Sequence, residues 1–462
     1  MEMKNKKKKS TGARVIDENT PLLVIAGPMF FEMLLGILLN NVDTVMLSHY
    51  SQNSVGAVGN ANQVMFLFII MFNIISTAIS VVVAQYLGAE KYDEMNRIYT
   101  LAFIVNLGFS IVLCAALVLC KGLIADVLNI SDNMRGEALT YINIVGGSLF
   151  LQACINVMLQ IIRCNGYTKI GMYISLAVNL INIAGNYTFL YGPLKHLDLG
   201  VAGVGISTVV ARAIALIFTL LFFYGNKIGK FSIRLLNPFP MAMLVKMIKI
   251  GMPSAGENFF YSLYQMVLLS FVNTMGDDSV NARVYCNTLI SFSMVFSNSC
   301  AMAMQIITGH LVGAGKEDIA YKRVFHTLKI SMPITIAMSV LNWQLSPFTL
   351  RIFDVNEEVF RLAYMIMLAD IFVEIGRCLN LTFVSSLKAA GDYVYPLIVG
   401  LITMWGLGAT LGYVFGIGLS IGVAGVFIGT AMDECVRGLI VMDHWRRKKW
   451  MGKALIKKDT ED

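Results

Sequence analysis

Twelve apolar runs, each long enough to cross a lipid bilayer, are separated by connectors too short to hold a domain, and this pattern leaves the chain little choice of fold. The runs fall at about 21–47, 56–87, 98–120, 137–162, 170–192, 200–225, 247–274, 284–313, 325–350, 359–387, 393–416 and 421–442. About 20 residues at ~1.5 Å rise span the ~30 Å hydrocarbon layer. No water is available there, so each backbone amide must be satisfied within its own segment and the runs must be helices. Composition agrees: only 14% of residues are charged and the mean hydropathy is +0.68, whereas a soluble domain carries roughly 25% charged residues. The sequence therefore predicts an all-α polytopic membrane protein with twelve transmembrane helices.

Charge placement sets the orientation. Most of the 36 lysines and arginines lie in the N-terminal tail (Lys6 to Lys9), in the connectors after even-numbered spans (Lys91, Arg97, Lys169, Lys246, Lys316, Lys388) and in the C-terminal tail (Arg446 to Lys449). The opposite connectors hold Lys121, Arg135, Lys195, Arg283, Arg351 and Arg361. Such a bias places both termini in the cytoplasm and the chain in the plasma membrane; the net charge of +7 is this bias and not a nucleic-acid surface. The first apolar run is too long for a signal peptide and no small-residue cleavage site follows it. Eight cysteines with no CxxC pair point to packed free thiols, neither a disulfide framework nor a zinc site.

An internal repeat organises the spans. Over 225 positions Pro28 falls on Pro253, Glu32 on Glu257, Asn62 on Asn287, Gly88-Ala89 on Gly313-Ala314 and Gly166 on Gly391. After a small gap Gly200-Val-Ala-Gly-Val falls on the same five residues from Gly422. Two six-helix pseudo-symmetric lobes inserted the same way up follow, an arrangement that suits a transporter with a central site. The expected division is a basic tail over 1–20, a first lobe over 21–226, a connector over 227–246, a second lobe over 247–443 and a basic tail over 444–462.

Ionisable groups inside the spans cost about 2.5–3.5 kcal/mol each on insertion scales. Glu32 and Asp43, eleven residues apart, share a helix face after Pro28, whose ring is expected to act as a hinge. Asp43 reads either as a solvated helix-end charge or as a buried functional acid. The seventh span carries Pro253, Glu257, Tyr261 and Tyr264. The fifth carries a stripe of Asn179, Asn182 and Asn186, which serves either interhelical hydrogen bonds or a cation. The tenth carries Asp370, Glu374 and Arg377 on one face, where Glu374 and Arg377 can pair, and Asp433, Glu434 and Arg437 form a second such set. Five intramembrane carboxylates against Arg377 and Arg212 would, in one shared cavity, favour cations. No HExxH, GxSxG or Walker-type motif occurs, so neither an enzyme nor an ATP-driven pump is expected.

With these residues in hand, the chain resembles the multidrug and toxic compound extrusion (MATE) family of bacterial efflux transporters. The resemblance rests on PMFFEMLLGILLNNVDTVMLSHYSQNSVGAVGNANQ, VVVAQYLGAEKYDEMNR, NLINIAGNYTFLYG with LGVAGVGISTVVAR, IKIGMPSAGENFF and EIGRCLNLTFVSSLKAAGD, in that order over nearly the whole length. It implies a monomer that exports amphiphilic organic cations in antiport with H+ or Na+, needing no cofactor beyond that ion. It also implies that Asp43, fifteen residues after Pro28, is the coupling acid, and Glu32 on the same helix face is expected to act with it. Asn179, Asn182, Asn186 and Thr208, with Glu257, Tyr261, Glu374 and Arg377, would then bind cation or substrate. Sodium would sit at Asp43, Asn182 and Asn186; many relatives have Asp where this chain has Asn186, and that loss puts protons ahead. Export of a lipid-linked or oligosaccharide precursor, on the same fold, is the alternative.

Overall fold

The computed structural model describes residues 12, 14, 16–127, 130–352 and 355–456, with the side chains of residues 40, 41, 43, 52, 127 and 352 outside that description. Asp354, at the tip of an expected outer connector, and the basic residues Lys6 to Lys9 fall outside the described residues.

The described residues form twelve helical rods. They are α1 (Leu22–Tyr50), α2 (Gln52–Gly88), α3 (Tyr92–Val127), α4 in two pieces (Asp132–Gly146 and Leu149–Cys164), α5 (Thr168–Leu190), α6 (Gly200–Gly225), α7 (Met241–Asn273), α8 (Asp277–Gly313), α9 (Glu317–Ile352), α10 (Glu357–Ala389), α11 (Val394–Gly418) and α12 (Val423–Arg446). Each expected span lies on its own rod. Seven of them, α1, α2, α3, α6, α8, α9 and α11, are long and apolar enough to cross a membrane unaided, and bent α4 makes an eighth. The four that fall short, α5, α7, α10 and α12, are those that carry the asparagine stripe, Glu257, the Glu374–Arg377 pair and the Asp433–Arg437 set. Their polarity is paid for by burial among neighbours rather than by lipid exposure.

Two rods depart from regular helices. The pieces of α4 meet at 41°, where a π-helical turn over Ile142–Gly146 runs into Gly147, whose amide donates to the Ile142 carbonyl at 3.1 Å. Adjacent glycines and a π turn are recognised causes of such a kink. In α11, π-helical stretches cover Met404–Ala409 and Val414–Gly418, and glycines bring it against α12: a Cβ on Gly429 would lie 2.4 Å from the Gly412 nitrogen. By contrast α1 and α7 continue as helix through Pro28 and Pro253.

By packing, the chain divides into two units whose limits cross the sequence halves. The first comprises Phe31–Val83 and Lys91–Gly251, with Gly12 and Arg14; the second comprises Ile16–Phe30, Ala84–Glu90 and Met252 onward. The first two turns of α1 join the second unit because Leu22, Ile25, Ala26 and Met29 are buried and Phe30 stacks edge-on against Phe296 at 6.0 Å. The end of α2 does so through reciprocal glycines. A Cβ on Gly88 would lie 2.0 Å from the His310 carbonyl oxygen, and one on Gly313 would lie 2.0 Å from that of Gln85. These four residues are themselves related by the 225-residue repeat.

Segments read as connectors pack onto their units. In the first unit, Lys230 donates its amide to Asn96 Oδ1 at 2.7 Å, Arg97 Nη2 donates to the Pro238 carbonyl at 2.6 Å, and Phe231 stacks on Phe223 at 4.8 Å. In the second, Trp450 stacks on Trp445 at 3.9 Å, Gly452 donates its amide to Glu317 and Leu455 donates its amide to Gln85 Oε1. Lys448 Nζ donates to Asp318 at 2.6 Å, and that contact holds the ammonium above its ordinary range.

Candidate functional site

Inside the first unit, α1, α2, α4, α5 and α6 enclose a cavity of about 590 Å³. Helix α2 supplies Val55, Val58, Gly59, Asn62, Met65, Phe66 and Ile69, recurring at helical spacing along one face. Leu47, Leu149, Val178 and Val204 extend the apolar wall. Besides Asn62, polar groups converge from the other helices: Thr44 on α1, Tyr141 and Gln152 on either side of the α4 kink, Asn179 and Asn182 on α5, and Thr208 and Arg212 on α6. The kink matters here, because the widened turn separates Tyr141 from Leu149 while both still face the cavity.

Amides and hydroxyls of this wall are linked. Asn182 Nδ2 donates to Thr208 Oγ1 at 3.0 Å, and Thr208 in turn donates to the Val204 carbonyl at 3.0 Å. Asn186, fully buried a turn further along α5, donates to Asn182 Oδ1 at 3.4 Å. Asn179 donates to the Ser175 carbonyl at 2.8 Å. Gln152 donates to Asn156 at 2.9 Å, and Asn156 to Asn73 at 3.5 Å. So Asn179, Asn182 and Thr208 line the cavity, whereas Asn186 lies behind the wall. Asp43 belongs to α1 next to Thr44, but its side chain lies outside the described residues.

Of the five acids that would favour cations in one shared cavity, Glu32, Glu257 and Glu374 have basic partners. Arg163 Nη2 of α4 donates to Glu32 Oε1, with the two side chains 10% and 13% exposed. In the second unit Lys388 Nζ lies 2.7 Å from Glu257 Oε2, with 14% and 13% exposure. Glu374 is fully buried and accepts from Arg377 Nη1. Asp370, on the same helix one turn earlier, is 2% exposed. Glu32 and Glu257 are thus ion-pair acids, and no carboxylate among the described residues lines the cavity. The sequence reading missed Arg163 altogether and placed Lys388 in a connector. The repeat contained the signal, since Arg163 and Lys388 are 225 positions apart, as Glu32 and Glu257 are.

The second unit holds a buried polar network. Arg437 Nη2 contacts Asp433 Oδ2 at 3.1 Å and Glu434 Oε1 at 3.0 Å. Asn380 Nδ2 donates to Glu434 Oε2 at 2.9 Å, and the Tyr264 hydroxyl donates to Thr430 at 3.5 Å. The Tyr261 ring lies 6.1 Å from that of Tyr264. Under the repeat, cavity residues Leu149 and Gln152 correspond to Glu374 and Arg377. After the gap Thr208, Ala211 and Arg212 correspond to Thr430, Asp433 and Glu434.

Comparison with known proteins follows this geometry. The MatE family pattern matches residues 28–188 and 253–414, one copy in each half. The chain belongs to the MatE family. It is 34% identical over 439 residues to an uncharacterized transporter, YisQ, of Bacillus subtilis, covering 95% of this chain and 96% of that one. A probable multidrug resistance protein, NorM, of Thermotoga maritima is 22% identical over 95% of this chain and 94% of its own. Among solved structures, an outward-facing multidrug resistance MATE family transporter superposes with a TM-score of 0.86 at 17% identity, over 94% of this chain and 96% of that one. This MatE protein is therefore a multi-pass membrane transporter with the family's twelve-helix, two-lobe fold.

Proposed function

We propose that the protein is a secondary active exporter of small amphiphilic organic compounds, working by alternating access in exchange for protons across the plasma membrane, with both termini in the cytoplasm. The observation that carries this reading is the cavity of about 590 Å³ walled by five membrane helices. Its size and its apolar wall, interrupted by a few convergent polar groups, are those of a site for a drug-sized molecule. A lipid-linked oligosaccharide is too bulky for it, which disfavours the precursor-export alternative.

Asp43, with the hinge at Pro28, is the coupling acid in this reading. Protonation from outside would remove its charge next to Thr44 at the cavity wall, and deprotonation inside would restore it. Protons are favoured over sodium because the neutral oxygens Asn182 Oδ1 and Thr208 Oγ1 already accept hydrogen bonds within the wall. A sodium ion would then rely on Asp43 alone for its counter-charge. Each charge moved through the membrane potential contributes roughly 2.3 kcal/mol per 100 mV, enough to drive the exchange. The resemblance implies organic cations, which five acids in one shared cavity would favour; Glu32, Glu257 and Glu374 are held in ion pairs instead.

Reconstitution in liposomes tests this. Dye efflux is expected under an imposed pH gradient and absent under a sodium gradient alone; efflux driven only by sodium would overturn proton coupling, and efflux under neither gradient would overturn secondary export.

A further inference from the structure

We propose that the cavity of the first unit binds an oxyanion, carboxylate or phosphate, borne by the substrate and paired with Arg212. This deepens the export reading by assigning a charge class to the same site. Arg212 lines the cavity from α6, on one helical face with Val204, Thr208 and Ala211. Its Nη1 is buried and has no hydrogen-bond partner, and Arg212 forms no ion pair, among the described residues. Arg163 has Glu32, Arg377 has Glu374 and Arg437 has Asp433 and Glu434, whereas Arg283, whose Nη1 is likewise without a partner, donates through Nη2 to Gln265. A guanidinium within the bilayer without an acid is costly and marks a functional site.

The neighbouring chemistry fits an anion. Gln152, Asn179 and Asn182 bring amide groups to the same wall, and among the described residues that line the cavity Arg212 is the charged one. The planar fork of arginine presents two parallel N–H donors to a carboxylate or phosphate. The apolar face of α2 opposite, with Val58, Met65, Phe66 and Ile69, receives the body of the molecule. Under the repeat, Arg212 corresponds to Glu434, so the two halves hold opposite charges at this position.

The full-length protein, purified in detergent, is titrated with three fluorophores of one skeleton: 1-pyrenebutanoate, its methyl ester and 1-pyrenebutylamine. Wild type is expected to bind the butanoate at least tenfold more tightly than the butylamine. Arg212→Gln should abolish that preference and Arg212→Lys should keep part of it, with thermal stability measured for each variant. Equal or tighter binding of the amine, binding of none of the three, or an undiminished preference in Arg212→Gln would overturn the inference. Should Arg212→Gln fail to fold, Arg212→Lys decides, because loss of the fork must weaken butanoate binding by several-fold. Competition by octanoate assigns the anion to a free amphiphile and competition by phosphatidic acid to a lipid headgroup; displacement by neither overturns the site. Transport is scored separately in liposomes. Butanoate bound but never carried would refute export and leave the anion site standing, whereas carriage of the amine with no butanoate preference would do the reverse.

Discussion

Removing Lys388 while leaving Glu257 should destabilise the second unit more than removing both. The pair is close, at 2.7 Å, and both side chains are less than one-sixth exposed. In Lys388→Met the carboxylate stays in a low-dielectric setting without its counter-charge, a change that costs about 3–5 kcal/mol. The double variant Glu257→Gln, Lys388→Met leaves no charge stranded and should lie within about 1.5 kcal/mol of wild type, since replacing a buried pair outright is often close to neutral. At roughly 2–4 °C per kcal/mol for a unit of about 200 residues, the single variant should melt about 6–20 °C lower and the double within a few degrees of wild type. Thermal denaturation of the purified protein, followed by intrinsic fluorescence, gives all four corners of the cycle. The coupling between the two sites should reach about 2 kcal/mol or more, beyond what independent sites show. A double variant as unstable as the sum of its singles would refute the argument that the contact is an energetic pair. Glu32→Gln and Arg163→Met should behave alike, because the first unit repeats the arrangement.

Glu374→Gln should lower thermal stability by about 3–5 kcal/mol by stranding Arg377, and the double removal should hurt less; a stable but transport-inactive double variant would show instead that the pair acts in transport. Asp43→Asn should fold normally yet lose efflux driven by a pH gradient, and wild-type transport by this variant would move the search for the coupling group to Glu257. Asn186→Asp should increase sodium dependence, scored as dye efflux under a sodium gradient. A cysteine introduced beside Lys230 should resist an impermeant thiol reagent in intact cells, whereas one in the 354–358 connector should react; labelling near Lys230 would overturn the orientation.

The sequence made the spans legible because apolar runs and their polar connectors are a one-dimensional signal: each of the twelve expected runs lies on its own rod. The repeat was equally plain, and it reappears as the reciprocal contacts of Gly88 with His310 and Gly313 with Gln85. What stayed hidden depends on distance across the fold. Glu32 and Glu257 were recognisable as buried acids, but their partners lie 131 positions away in each case, at the ends of α4 and α10, where a basic residue reads as a connector charge. The bend in α4 had only the Gly146-Gly147 dipeptide to announce it, and the π-helical turns of α11 had scattered glycines common to most membrane helices. Of the asparagine stripe, periodicity correctly put three residues on one face, but only the packing of α6 separates Asn179 and Asn182, at the cavity, from Asn186 behind them.

The correspondence between cavity and ion network carries a consequence for how this chain can have evolved and can be re-engineered. Two copies of an ancestral half need identical interiors at the moment of duplication. Here Leu149, Gln152, Ala211 and Arg212 of one copy correspond to Glu374, Arg377, Asp433 and Glu434 of the other. A chimera made of two first halves would duplicate Arg212, and one made of two second halves would lose the polar cavity wall of the first. The shared backbone therefore does not by itself make the halves interchangeable, because these four positions differ in charge between them.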